Sequence, residues 1–230
     1  MRRVAISQSN YIPWIGYFEL INSVDTFILF ENVQFTNRDW RNRNRIKSPQ
    51  GAQWLTIPVV HKHRTLIRDV TISSVDWNRD HREVIRRNYS RAKAFQEIYP
   101  HIGDLYNSLS NIKFLSEVNE CILRDLCSLF GVQTEIVAAR WDLDDNLSPN
   151  EKILQICNDF SATKYITGPK ALSYLDFGQF SNSKIEIEVF QYSKFEYQQQ
   201  WSEFIPNLSI IDVLLNVGLS ETQRKIHGHA

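Results

Sequence analysis

The order of apolar and polar segments in the first thirty residues constrains the fold more than any other feature of this chain. Val4–Gln8 is a short apolar segment typical of a buried strand, and Pro13 lies in the loop that follows it. Between Trp14 and Ser23 the apolar residues recur at helical spacing, and Thr26–Phe30 is a β-branched and aromatic run. Strand, loop, helix and strand in this order predict a βαβ unit.

The remaining segments extend this pattern along the chain. Apolar spacing predicts amphipathic helices over Trp77–Ala94 and Phe114–Phe130, and Ser148-Pro149-Asn150-Glu151 is a helix-start signal. Further strands are predicted at Gln53–Val60, Asp69–Ser73, Gln133–Ala138, Lys164–Thr167 and Ile185–Phe190. We therefore predict a single domain over residues 1–230. Its fold is α/β, with a mixed or parallel sheet, the N-terminal βαβ unit and a helical layer or subdomain at about 77–130.

Charge is balanced over the whole chain but unevenly distributed. The 26 Lys and Arg equal the 26 Asp and Glu, which argues against a dedicated nucleic-acid binder. Thr36–Phe95 contains fourteen Lys and Arg against five Asp and Glu, whereas Glu117–Glu203 contains seven against fourteen. This asymmetry predicts positive potential at one cleft; the alternative is two oppositely charged faces that only assist packing.

The cysteines and the hydropathy of the chain indicate a cytoplasmic protein. Cys121, Cys127 and Cys157 form an odd set without metal-type spacing, which is typical of a reducing compartment. The apolar run after the N-terminus is too short for a signal peptide, and no stretch approaches the ~18–20 apolar residues of a membrane span.

The first candidate site is the loop after the first predicted strand. Open α/β sheets bind ligands at the carboxyl ends of their strands, and this loop offers Gln8, Asn10 and Tyr11 as donors and acceptors. Gly16 permits close backbone approach at a helix start, where free N–H groups suit an anion. The alternative is a helix N-terminus whose polar residues only satisfy the local backbone.

The second candidate site is the basic run that follows the βαβ unit. If the run Asn37–Lys47 is extended, Arg41, Arg43 and Arg45 lie on one side and could hold phosphate or carboxylate bidentately. One alternative is a solvated basic loop. Another is an RNA contact, for which one short run without interleaved stacking aromatic residues is weak evidence.

Other catalytic and metal motifs are absent from the sequence. There is no phosphate-binding or dinucleotide glycine motif and no nucleophile elbow. His61 and His63 lie two residues apart with no further ligand cluster nearby, so we predict surface histidines and no metal site.

Characteristic strings of residues occur along nearly the whole chain. In order, they are Gln8, Tyr11–Phe18, Val33–Phe35, Trp40–Lys47, Trp54–Val59, Tyr165–Gly168, Tyr174–Asp176, Phe204–Pro206, Ser209–Leu214, Asn216 and Gly218. In these strings the chain resembles the WbqC-like protein family. Ser9 departs from the family pattern, in which proline is frequent at this position.

The resemblance implies a role in bacterial surface-polysaccharide (O-antigen) biosynthesis. Members of the family are loosely described as transferring glycine or another acyl group to an amino sugar. The resemblance therefore implies a transferase that forms an amide on a nucleotide-linked amino sugar, with ATP or another activated acyl donor.

On this interpretation the two candidate sites form one substrate pocket. Its expected substrate-binding residues are Gln8, Asn10, Tyr11, Trp14, Gly16, Trp40, Arg41, Asn42, Arg43 and Arg45. The arginines would neutralise a diphosphate or acyl phosphate, and the aromatic residues would line the sugar or base pocket. Asp25, Asp176 and Asp212 are candidate catalytic acids or bases because family-like strings surround them, although Asp25 could instead form a turn.

The layout is also similar, at the level of the fold, to nucleotidyltransferases that carry a His-x-Gly-His motif after their first strand. Trp14, Gly16 and Tyr17 stand at the corresponding positions, so both histidines are missing. ATP binding through Gly16 and the arginines would survive such a relationship, whereas histidine-assisted adenylyl transfer would not.

Two further functions stay open from the sequence. The first is a non-catalytic protein that binds a sugar nucleotide or scaffolds a biosynthetic complex. The second is a transferase that takes its acyl group from aminoacyl-tRNA and uses the basic face of Trp77–Ala94 as an RNA platform.

Overall fold

A five-stranded parallel sheet forms the centre of the molecule. The computed structural model describes residues 1–144, 146–201 and 203–228. The sheet strands are β1 (Arg3–Ser7), β2 (Thr26–Phe30), β7 (Glu135–Ala139), β8 (Lys164–Thr167) and β9 (Glu186–Val189), in the spatial order β7-β2-β1-β8-β9. Every neighbouring pair is parallel, so the predicted α/β class and the N-terminal βαβ unit are confirmed.

The strands outside this sheet form two small antiparallel pairs. One is the hairpin of β3 (Arg43–Ser48) and β4 (Gly51–Thr56), and the other pairs β5 (Val59–Val60) with β6 (Thr71–Ile72). The sequence predicted one strand over Gln53–Val60. The structure divides it at Pro58, because proline has no N–H group with which to continue a ladder.

The helices occupy both faces of the sheet. They are α1 (Ile15–Asn22), α2 (Trp77–Tyr89), α3 (Phe95–Ser108), α4 (Leu115–Phe130), α5 (Pro149–Asp159), α6 (Phe177–Asn182), α7 (Ile210–Val217) and α8 (Leu219–His227). Short 3-10 helices span Ile67–Asp69 and Pro169–Ser173. None of the helices in the described ranges is both long and apolar enough to cross a membrane.

Successive side chains along the strands point to opposite faces of the sheet, and different helices cover the two faces. Ala5, Phe27 and Leu29 belong to the larger core, which also contains buried residues of α1 to α4, α7 and α8. Val4 and Ile28 point to the other face and share a smaller core with α5 and α6. The sheet is therefore wound in both directions from β1, with α1 on one face and α5 on the other.

Local signals at the helix ends agree with the structure. Ser148 caps α5 by accepting from the backbone N–H of Glu151, whose side chain accepts in return from the backbone N–H of Ser148. Gly131 ends α4 with a left-handed backbone conformation, φ 74°. The region predicted to be helical at 77–130 contains α2, α3 and α4, which follow the two antiparallel pairs in the long connection between β2 and β7.

Candidate functional site

A cleft of ≈ 640 Å³ opens at the carboxyl ends of β1 and β8. The chain leaves β1 toward β2 on one side and reaches β8 and then β9 on the other, so the strand order reverses at this point. Loops that follow two such strands diverge and leave a crevice, which is where open α/β sheets bind ligands. The sheet order therefore explains why the cleft lies here.

The loop after β1 forms one wall and is held in an unusual conformation. Gln8, Asn10 and Trp14 line the cleft from this loop. Ile12 has a positive φ of 36°, which is rare for a β-branched residue. Its carbonyl oxygen accepts a hydrogen bond of 2.9 Å from Nδ2 of Asn44, which also donates to the carbonyl of Tyr11 at 3.1 Å. Asn44 thus stabilises a strained loop directly at the cleft.

Arg41 both lines the cleft and binds this loop. Its Nη1 donates to the carbonyl of Ser9 at 3.1 Å and to Oδ1 of Asn10 at 2.5 Å, and its Nη2 lies 3.4 Å from a carboxylate oxygen of Asp39. Only 13% of the side chain is exposed. The guanidinium therefore positions the loop as well as adding positive charge to the cleft.

Arg45 and Trp40 connect the cleft to an exposed aromatic cluster. Both line the cleft, and the Arg45 guanidinium lies 5.8 Å from the ring centres of Trp40 and Trp54. Arg43 lies on the same strand face but outside the cleft lining; it stacks 4.1 Å over Trp54 and donates to the carbonyl of Arg38. The structure thus brings Arg41 and Arg45 to the cleft and leaves Arg43 outside its lining.

The opposite wall comes from the end of β8 and the segment after it, which the sequence analysis did not assign to the site. Thr167, Gly168, Lys170 and Tyr174 line the cleft there. A Cβ atom at Gly168 would lie 3.1 Å from the hydroxyl of Tyr192, another lining residue. The same rule that selected the loop after β1 would have selected this loop, had the pairing of β8 with β1 been known from the sequence.

The cleft is positively charged and partly aromatic. Among the described residues that line it, the charged side chains are Arg41, Arg45 and Lys170, and none is Asp, Glu, His or Cys. Tyr17 lines it as well, and burial raises the pKa of its hydroxyl far above neutral, so this group stays protonated as it donates to the carbonyl of Gln8 at 2.9 Å. Such a lining suits an anionic ligand with a ring system.

Three further residues predicted for the pocket have structural contacts instead. Tyr11 is fully buried, and its hydroxyl lies 2.7 Å from Nδ1 of His81 and 2.5 Å from the hydroxyl of Tyr106. Asn42 is buried and donates to the carbonyl of Ile57 at 2.9 Å. Gly16 lies behind the Trp14 indole, since a Cβ there would come within 2.3 Å of the ring.

The three aspartates predicted as acids or bases lie away from the cleft lining. Asp25 precedes β2, at the opposite edge of the sheet, and its pKa is lowered mainly by the hydrogen bond from the Arg3 backbone N–H, at 2.7 Å. Asp176 caps α6 by accepting from the N–H of Gly178 at 3.0 Å. Asp212 is fully buried and accepts 2.6 Å hydrogen bonds from two tyrosines, Tyr89 and Tyr197.

One buried carboxyl group near the cleft was missed by the sequence analysis. Glu31 directly follows β2, next to the cleft-lining Phe30, and is fully buried. Burial raises the pKa of its carboxyl group to about 7, against smaller lowering effects of Ser9, Arg140 and Arg41. A single glutamate after an apolar strand carries no distinctive sequence signal, so only the fold identifies it.

No cluster of three or more metal-ligating side chains occurs within the described ranges. His61 is half-buried, and its Nε2 lies 2.8 Å from Oδ1 of Asn37. The residues at the cleft fit an anion, because Arg41, Arg45 and Lys170 supply positive charge.

The fold and the cleft define an α/β protein with a doubly wound parallel sheet and a positively charged cleft at its switch point. The WbqC-like protein family profile matches residues 8–224, which include both walls of the cleft. The chain is 42% identical over 221 residues, 95% of either chain, to "Uncharacterized protein Rv1507c" of Mycobacterium tuberculosis (strain ATCC 25618 / H37Rv). No solved structure was found to match. The chain belongs to the WbqC-like family.

Proposed function

We propose that this protein is a transferase of surface-polysaccharide biosynthesis that moves glycine or another acyl group onto a nucleotide-linked amino sugar. The observation that carries the proposal is the lining of the switch-point cleft, in which three cationic side chains and no carboxylates face the ligand space among the described residues. Its volume of ≈ 640 Å³ lies within the usual range of about 300–1,000 Å³ for small-molecule sites.

The cations suit the diphosphate of a nucleotide sugar. Arg41 and Arg45 line one wall and Lys170 lines the other, so a diphosphate in the cleft would meet positive charge on both walls. Arginine can bind two phosphate oxygens at once, whereas lysine contributes a point charge. Trp14, whose ring centre lies 5.0 Å from that of Tyr192, offers an apolar surface for the sugar or the base.

The chemistry would depend on positioning and charge stabilisation. The amine of the sugar would attack the acyl carbon of an activated donor, forming the C–N bond as the bond to the activating group breaks. The amine proton would leave to the departing group or to solvent. Gln8 and Asn10 would orient the amine and the carbonyl, and the cations would stabilise the departing phosphate.

A non-catalytic sugar-nucleotide-binding or scaffold function is the second candidate. The observation that favours it is that no Asp, Glu, His or Cys lines the cleft in the described part of the chain. The third candidate, an aminoacyl-tRNA-dependent transferase, gains support from the exposed Trp40 and Trp54, whose ring centres are 5.5 Å apart. The basic face of α2 supports it less, because Arg79 and Arg86 pair with acidic residues on or beside the same helix.

The activity test incubates the protein with glycine, ATP and a set of nucleotide-linked amino sugars and follows the sugar by mass spectrometry. A mass gain of one glycyl group on an amino sugar supports the transferase. Product formed only when glycyl-tRNA replaces glycine and ATP supports the RNA-dependent candidate. Tight binding without product under either condition supports the non-catalytic candidate.

The binding test compares two arginines on the same face of β3. Arg45→Lys keeps the charge but loses the planar fork, so we expect calorimetry to show nucleotide-sugar binding weaker by ~1.5–3 kcal/mol. Arg43→Lys is the matched control, because Arg43 also stacks on Trp54 but does not line the cleft; its effect should stay below ~0.5 kcal/mol. Equal affinities for all three proteins would contradict the assignment of Arg45.

A further inference from the structure

Glu31 is an unusual carboxyl group because it is buried and forms no direct ion pair with the described residues. The side chain is fully buried, and neither carboxylate oxygen has a hydrogen-bond partner of good geometry among the described residues; the nearby Ser9 hydroxyl lowers the pKa by less than burial raises it. Its position after β2 places it at the same edge of the sheet as the cleft, beside the lining residue Phe30. A buried ionised carboxylate that lacks hydrogen bonds is strongly disfavoured, so this group is poised to hold a proton.

The neighbours of Glu31 connect it to the cleft. Ser9, Arg140 and Arg41 favour its ionised form, although each is less important than burial. The Ser9 hydroxyl accepts a 3.1 Å hydrogen bond from Nδ2 of Asn119, and the Ser9 carbonyl accepts from Arg41. Glu31 therefore interacts electrostatically with the loop after β1 and with the Arg41 guanidinium, which form one wall of the cleft.

The cations near Glu31 have other primary partners. Arg140 contacts Glu120 at 2.5 Å, and the terminal nitrogens of Arg41 contact the loop after β1 and Asp39. Neither arginine forms a direct ion pair with Glu31 within the described chain. The negative charge of Glu120 on α4 raises the pKa of Glu31 further. The positive potential of Arg41 thus remains open to a ligand in the cleft.

We propose that Glu31 is a positioning residue of this cleft that takes up a proton when an anionic ligand binds beside Arg41. The inference rests on the anion binding proposed above. A diphosphate and an ionised Glu31 would both act on Arg41 and would repel each other through a poorly screened interior. Binding therefore favours the neutral form of Glu31, and protonation of Glu31 in turn strengthens binding by the same factor.

Other titratable groups do not account for such coupling. No Asp, Glu, His or Cys lines the cleft in the described residues. Tyr17 on α1, which faces both Glu31 and Arg41, has a pKa raised by burial far above neutral. The backbone N–H of Arg68 donates to the backbone carbonyl of Glu31 at 3.2 Å, and the Arg68 guanidinium pairs with Asp142. Proton uptake near pH 7 would therefore belong to Glu31.

The experiment follows Glu31 by NMR in protein labelled with ¹³C at glutamate carboxyl carbons. The resonance is assigned by its loss in Glu31→Gln, or in Glu31→Asp if the first variant does not fold. The ligand is UDP-N-acetylglucosamine, because its diphosphate diester keeps a constant charge near neutral pH. We expect a ligand-free midpoint near pH 7. Saturation should raise it by about one unit, which corresponds to about tenfold tighter binding by the protonated protein.

Calorimetry in two buffers of different ionisation enthalpy measures the same coupling. Wild type should take up protons when it binds the ligand near pH 7. Glu31→Gln should take up none, and its affinity should not change with pH around this value. Glu120→Gln is the matched control, since Glu120 is already paired with Arg124 and Arg140. Its coupling should persist, with the midpoint moved to lower pH because one repelling charge is gone.

Three results would overturn the inference: a ligand-free midpoint near the usual 4.5, a midpoint that saturating ligand leaves unchanged, or proton uptake that persists in Glu31→Gln. Absence of binding at every pH would contradict the anion binding proposed for the cleft. The coupling between binding and protonation of Glu31 would then be wrong as well, even if the ligand-free midpoint is near 7. Binding with proton uptake but without acyl transfer would contradict only the transferase and support the role of Glu31.

Discussion

The most direct quantitative consequence of the structure is that Glu31 makes stability depend on pH without any ligand. The perturbation is Glu31→Gln, which keeps the size of the side chain and removes the titration. Burial raises the pKa of Glu31 from the usual 4.5 to about 7, so between these values the folded protein binds more protons than the unfolded chain. The contribution of Glu31 to the free energy of unfolding is fully present below pH ~4.5 and is lost as pH rises through about 7.

The expected magnitude follows from the size of the shift. At ~1.4 kcal/mol per pKa unit, the rise from 4.5 to about 7 corresponds to a total loss of about 3 kcal/mol, most of it between pH 5 and 8. Urea unfolding followed by tryptophan fluorescence should measure this as a difference between wild type and Glu31→Gln. The variant should gain about 2–3 kcal/mol relative to wild type as pH rises from about 5 to 8.

The comparison with the variant isolates Glu31 from other titrations. His81 acts in the opposite sense, because burial lowers its pKa to about 4 and stability therefore rises with pH up to its unfolded value near 6.5. That contribution is present in both proteins and cancels in their difference. If the unfolding free energies of wild type and Glu31→Gln run parallel from about pH 5 to 8, Glu31 is ionised in the folded protein and the reasoning is refuted.

Three further predictions separate structural residues from cleft residues. Asp212→Asn should lower the free energy of unfolding by about 2–4 kcal/mol through its two tyrosine hydrogen bonds and leave nucleotide-sugar affinity unchanged; normal stability with lost activity would instead support catalysis. Asp176→Ala should cost about 1 kcal/mol of stability as a lost helix cap, measured by urea unfolding, again with unchanged affinity. Gly16→Ala should displace the Trp14 indole and weaken nucleotide-sugar binding at least ~10-fold in calorimetry, because the added Cβ lies 2.3 Å from the ring. Gly103→Ala, with open space at its Cβ, is the control and should bind normally while gaining ~0.5–1 kcal/mol as a helix-interior alanine.

The sequence contained enough information to predict the strands of the sheet but not which strands lie next to each other. Val4–Gln8 and Thr26–Phe30 were predicted because a short apolar run between polar loops is a local signal, and the structure has β1 and β2 there. The order β7-β2-β1-β8-β9 depends on pairing between distant segments, which no local pattern encodes. Lys170 and Tyr174 consequently could not be assigned to the cleft from the sequence.

The candidate site shows the same limit at the level of single side chains. The position of Arg43 and Arg45 on the same face of β3 was predictable, because side chains two residues apart in a strand point the same way. That only Arg45 reaches the cleft depends on the position of the hairpin relative to the sheet. Tyr11 was selected as a polar residue in a loop, but its burial against His81 and Tyr106 is a tertiary contact.

The pairing of β1 with β8 also has a consequence for the time at which this protein can acquire its cleft during synthesis. Residues 3–5 must wait for residues 164–166 before their shared ladder can form. Contacts between such distant segments slow folding, and in an emerging chain the edge of β1 that pairs with β8 stays unpaired until β8 has been made. Asn207, near the C-terminus, completes the lining. The anion binding proposed for the cleft should therefore be absent from nascent chains that stop before β8, and it should appear once β8 and the segment around Asn207 have been made.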